Sequence, residues 1–115
     1  MTVLSEYNRI VPLSRHQGES LPVTFTYGAG FPDSGGLSAW TPAGKIRKTP
    51  LSETVVLDLS SRLSISGQVL TLTLSRTDTA ALAPGVYHYG ITITLASETF
   101  EIISGTLEIL ASAAR

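Results

Sequence analysis

Leu82-Ala83-Pro84-Gly85-Val86-Tyr87 is the stretch that decides the fold. Pro84 pre-sets its own backbone angle, and Gly85 reaches angles closed to other residues, so the pair makes a turn. Two residues on, Tyr87 opens an alternating run. The spacing Leu-x-Pro-Gly-x-Tyr fits the tyrosine corner of Greek-key sandwiches, in which the hydroxyl reaches back to a backbone group a few residues upstream. Such a tyrosine is structural, not catalytic. Leu82, Pro84, Gly85 and Tyr87 therefore form one structural group, and Trp40 sits where a sandwich places its core aromatic.

Working outward from the corner, alternation dominates the chain. Val86–Leu95 places Tyr87, Tyr89, Ile91 and Ile93 on one face, the period of a half-buried strand. Gln68–Ser75 is the cleanest strand, with Leu70, Leu72 and Leu74 inward and Thr71 and Thr73 outward. Leu21–Tyr27 alternates too, with Pro22 marking a strand start or an edge. Ala39–Arg47 reads as a strand, with an irregularity or bulge expected at Pro42 and Gly44. Thr54–Leu59 carries Val55, Leu57 and Leu59 on one face, and Leu63–Ser66 is a short strand.

Thr99–Ser104 and Thr106–Leu110 are a last strand or pair, kinked at Gly105. Arg9–Leu13 is a short edge strand broken at Pro12, and Arg15–Ser20 a turn. Thr77–Leu82 is the best candidate for one helical turn. Gly28–Gly36 is a long loop. About seven strands at regular spacing predict an all-β, immunoglobulin-like sandwich. The chain divides into an N-terminal arm or edge strand (1–16), the sandwich (17–110) and a C-terminal tail (111–115).

Composition narrows the function. A chain of 115 residues suits one domain. Ser and Thr make about a quarter of it, which favours strands and turns. It has no cysteine, hence no disulfide framework or thiol nucleophile. The formal net charge of −1 lacks the basic excess of a nucleic-acid footprint. Charged residues are 15% with a mean hydropathy of +0.23. That is weakly charged for a lone domain, so part of the surface is expected to be covered by partners. No signal-peptide pattern and no run of membrane-spanning length appears, which predicts a chain made in the cytosol with no membrane partner.

No constellation of residues supports a reaction. His16 lies in a polar turn near Glu19. His88 lies on a strand opposite the face of Tyr87 and Tyr89. No nucleophile elbow accompanies either, so no catalytic residues are assigned. Asp33, Asp58 and Asp78 are scattered, and Glu98, Glu101 and Glu108 read as a solvated face or edge protection. Neither metal nor cofactor is expected. The glycines of the 28–36 loop lack a phosphate-binding fingerprint and a following helix. Lys45 and Arg47 project to one face of their strand. They are expected to meet solvent or a neighbouring subunit, and pairing with the Glu98–Glu108 region of another copy is one form of that contact.

Several stretches resemble an immunoglobulin-like domain of tailed-phage virion proteins, in particular the N-terminal domain of baseplate upper proteins. They are Gln17–Leu21, Leu37–Thr41, Lys45–Arg47, Val69–Leu74, Thr79–Leu82, Pro84–Tyr89 and Gly105–Ile109. Their order and spacing match over most of residues 17–110, although the loop 28–36 and Pro42 depart from the pattern. The resemblance implies a non-enzymatic virion protein, made in the bacterial cytoplasm and carried on the particle. It would act as an adaptor or docking module of the tail, baseplate or fibre attachment. Capsid decoration and head-fibre roles are alternatives. Its partners would be other virion proteins and copies of itself. Ile10, Val11 and Leu13 of the arm, with Phe31 of the 28–36 loop, Lys45 and Arg47, are the candidate partner contacts. A second possibility is a host-glycan-binding module using exposed aromatics such as Phe31 or Tyr7.

Overall fold

The structure, a computed structural model, describes residues 9–28, 31 and 36–112. Its strands are β1 (Arg9–Ile10), β2 (Leu13–His16), β3 (Leu21–Thr26), β4 (Thr41–Arg47), β5 (Val55–Asp58), β6 (Leu63–Ser66), β7 (Val69–Leu74), β8 (Gly85–Leu95) and β9 (Glu98–Leu110). One short helix, α1 (Arg76–Ala80), joins β7 to β8. The smaller sheet runs β3-β7-β6. The larger runs β1-β9-β8-β4-β5, with β2 also pairing with β9. β1 and β2 lie parallel to β9, and the other described pairs are antiparallel. The protein is an all-β, immunoglobulin-like sandwich.

The corner has the expected geometry. The Tyr87 hydroxyl donates to the Ala83 carbonyl at 2.7 Å. The core lies between the sheets. Leu70, Leu72 and Leu74 from β7 face Ile46, Tyr87, Tyr89, Ile91, Ile93, Ile103, Leu107 and Ile109 from the larger sheet, all buried. Trp40 is buried with them, its ring 5.8 Å from that of Phe100.

Five local expectations are corrected. The irregularity expected at Pro42 and Gly44 is absent there, because β4 pairs with β8 without a break from Thr41 to Arg47. The shift lies instead against β5, between Ile46 and Arg47, and it carries Val55 off the core face while Leu57 stays half-buried and Leu59 buried. Ala39 belongs to a 3-10 turn over Leu37–Ala39, not to β4. β9 is one continuous strand whose register slips opposite Ile91 and Thr92 rather than at Gly105. Arg15 and His16 extend β2 because Arg15 pairs with Ile109 and His16 with Leu110. The helix starts at Arg76 because Ser75 caps it: the Ser75 hydroxyl accepts from the Asp78 amide while the Asp78 carboxylate accepts from the Ser75 amide.

Residues 9–16 are fastened to this chain's own domain. The Val11 amide donates to the Ser104 carbonyl at 2.9 Å, and the Tyr89 hydroxyl donates to the Val11 carbonyl at 2.7 Å. Pro12, which has no amide proton, separates β1 from β2. Gly105 makes this crossing possible, since a Cβ there would collide with the Val11 carbonyl. The part of the expected arm at 1–8 and the tail at 113–115 lie outside the described residues.

Candidate docking surfaces

Strand alternation turns every second residue of the larger sheet away from the core. On β4 these are Ala43, Lys45 and Arg47. On β8 they are His88, Gly90 and Thr92, and on β9 Glu101, Ser104 and Thr106. The pairings order them into rows across the sheet. Ala43, Thr92 and Glu101 make one row, Lys45, Gly90, Ser104 and Ile10 the next, and Arg47, His88 and Thr106 a third. Gly90 and Ser104 leave the middle row low, while Lys45 and Ile10 rise at its ends. The result is an open trough of about 720 Å³.

Lys45 and Arg47 thus share this face, as the strand period predicts. One Arg47 guanidinium nitrogen, Nη1, donates to the Ser52 carbonyl at 2.7 Å, which steadies the side chain at the trough wall. Across the sheet, the Glu101 carboxylate lies over Gly90, where a Cβ would come within 2.5 Å of it. Two ion pairs within 4.0 Å occur among the described residues, His16–Glu19 and Arg62–Asp78. Lys45, Glu101 and Glu108 belong to neither.

β5 is one edge of the larger sheet and pairs only with β4 among the described residues. It carries exposed Val55 (37%) and Val56 (41%), and Leu51 in the preceding turn is 94% exposed. The strand has neither Lys nor Pro, two residues that commonly blunt an open edge. On the opposite flank, Ile10 is 81% exposed, whereas Val11 and Leu13 are half-buried against this chain's own core.

The glycan reading needed exposed aromatics. Phe31 is instead buried (4%) and stacked on Tyr27 with ring centres 4.2 Å apart. Gln68 draws it in by donating to the Gly28 and Phe31 carbonyls at 2.7 and 2.9 Å and accepting from the Leu37 amide at 2.7 Å. Tyr7 lies outside the described residues, as do Gly30, Asp33 and Gly35 of the loop.

The ionisable groups with shifted behaviour hold the frame together. Arg62 forms a two-pronged bond to Asp78 at 2.7 and 2.8 Å. With the Ser75 contacts added, this lowers the Asp78 carboxyl to about 2. Burial pushes the Tyr89 phenol up to about 12. Among the described residues, no three His, Asp or Glu side chains gather as a metal site, and no helix is long and apolar enough to cross a membrane.

Sequence reasoning missed three parts of these surfaces. Nothing in the local pattern marked Gly90 as the floor of a trough, because its neighbours Lys45 and Ser104 come from distant strands. The exposure of Val55 follows from the β4–β5 register shift, which has no local signature. Gln68 looked like an ordinary strand start, although its long amide side chain fastens a loop some 30 to 40 residues away.

No family model matches the chain, and no curated protein matches it. Among solved structures it is similar to an uncharacterized protein from Bacillus anthracis strain Ames, with a TM-score of 0.50 and 14% identity. The match covers 96% of this chain and 90% of that one. At this identity the likeness shows the fold alone.

Proposed function

We propose that the chain is a non-enzymatic structural protein of a tailed-phage particle, an adaptor or docking module of the tail, baseplate or fibre attachment. It is made in the bacterial cytoplasm and works by contacts with other virion proteins and with copies of itself. The observation that carries this reading is the β5 edge. A strand with unpaired backbone groups and two exposed valines is a template for a strand from another chain. The ordered stretches that resemble phage immunoglobulin-like domains supply the class of partner.

The test is co-sedimentation. Phage particles induced from a strain carrying the gene are banded on a density gradient and probed for the chain. It is expected in the particle band. A Val55→Lys/Val56→Lys variant, changed only on an exposed edge, keeps its stability within about 0.5 kcal/mol and is expected to leave that band. Recovery of the unaltered chain wholly outside the particles overturns the proposal. Undiminished incorporation of the edge variant removes β5 as the docking element.

A further inference from the structure

We propose that the outer face of the larger sheet joins two copies of this chain about a twofold axis running along β8. This deepens the assembly reading above and rests on it for its biological setting. The argument is one of charge and relief. β4 presents Lys45 and Arg47 outward, and β9 presents Glu101 and Glu108 outward, with uncharged Gly90 and Thr92 and the imidazole of His88 on β8 between them. Asp58 on β5 lies beside Lys45 on the same face, so the face is basic along β4, with one carboxylate at its β5 margin, and acidic along β9.

Two sheets packed face to face lie about 10 Å apart, with any twofold axis in the plane between them. An axis running across the strands lays β4 on β4 and β9 on β9, so like charges meet. An axis along β8 lays β4 of each copy over β9 of the other, so opposite charges meet twice. Only the second arrangement is attractive, and it is self-complementary as a twofold contact requires.

The relief agrees with the charge. Under this axis Lys45 of each copy descends onto the low position at Ser104 of the other. Glu101 then lies one row away, about 7 Å along the strand and within lysine reach. Arg47 stands one row from Glu108 of the other copy. At the flanks, exposed Ile10 comes over Asp58 on β5 of the second copy, one row from exposed Val55. The contact thus covers two apolar side chains that otherwise face water.

Sedimentation equilibrium of the full chain, from about 1 μM to 1 mM, tests the proposal. A monomer–dimer equilibrium is expected. Lys45→Glu/Arg47→Glu makes both β4 and β9 acidic on this face, and Glu101→Lys/Glu108→Lys makes both basic, with Asp58 unchanged at the β5 margin. Each variant alone is expected to dimerise at least about 100-fold more weakly. Mixed in equal amounts, the two are expected to form a heterodimer, because an acidic face then meets a basic one. That rescue separates repulsion from misfolding. A strictly monomeric unaltered chain, unchanged dimerisation of either variant, a mixture that fails to pair, or an assembly larger than two each overturns the proposal. A monomer that still enters particles overturns only this inference. A dimer that enters none overturns the virion reading and leaves the dimer standing.

Discussion

The two sheets solve different problems with the same strand geometry. The smaller sheet, β3-β7-β6, is an alternation of leucine and threonine across β7, with its inner leucines fully buried and its outer threonines carrying no charge. Its neighbours α1 and Arg62 tie it down through a capped helix and one ion pair. The larger sheet breaks the simple pattern repeatedly. It has two register shifts, glycines at Gly90 and Gly105 where other groups come close, and a charged outer face. The contrast teaches where this fold keeps stability and where it keeps surface for contact. Regular alternation supports packing alone, whereas departures from it open a trough, admit a crossing chain and leave an edge bare.

The largest expected effect sets the sheets against each other. Leu72→Ala removes a buried side chain that lies between β3 and β6, so it is expected to cost about 3 kcal/mol of global stability by chemical denaturation. Gly105→Ala drives a Cβ into the Val11 carbonyl, at an expected cost of about 2 kcal/mol. Its loss is local, and hydrogen exchange should show the Val11 amide and β2 released while β7 stays protected. Equal release of β7 in both variants would break the distinction.

A smaller effect concerns acid. The Asp78 carboxyl is held at about 2 in the folded chain against 3.8 as its ordinary value. A depressed folded value adds stability above pH 4 that drains away as pH falls toward 2, an amount of about 1–2 kcal/mol. Asp78→Asn should lower stability at neutral pH and flatten the decline between pH 4 and 2. Urea titrations across that window read both, and an unchanged slope would show that the ion pair contributes nothing there.

The finest comparison is between hydroxyls. Tyr87→Phe removes the bond to the Ala83 carbonyl and is expected to cost about 1 kcal/mol. The buried Tyr27 hydroxyl makes no hydrogen bond to the described residues. Tyr27→Phe should therefore be neutral or slightly stabilising. Thermal melts of the two variants separate the cases, and a comparable loss in both would contradict the contrast.

How much of this was legible depended on how far apart the partners lie in sequence. The corner was readable because Tyr87 bonds to a carbonyl only four residues away. β7 was readable because one face of it is leucine throughout. The helix start is within reach too, since Ser75 and Asp78 form a capping pair at the usual spacing, which puts the first helical residue at Arg76, one before the expected Thr77. Phe31 was misplaced because its neighbours are Gly, Pro and Asp, a loop composition that says nothing of Gln68 or Tyr27. The trough and the Val11 crossing were closed to sequence reasoning altogether. Both depend on small residues admitting groups that approach from other strands.

The pairing of β2 with β9 sets a clock on biosynthesis. His16 meets Leu110, a residue translated about ninety positions later. At about 5–20 residues per second, β2 waits about 5–20 s for its neighbour. During that interval Val11 and Leu13 stand uncovered on a nascent chain whose other strands can already pair. The growing polypeptide is then most open to capture by a neighbouring nascent copy or by a chaperone, and only the emergence of β9 ends that exposure.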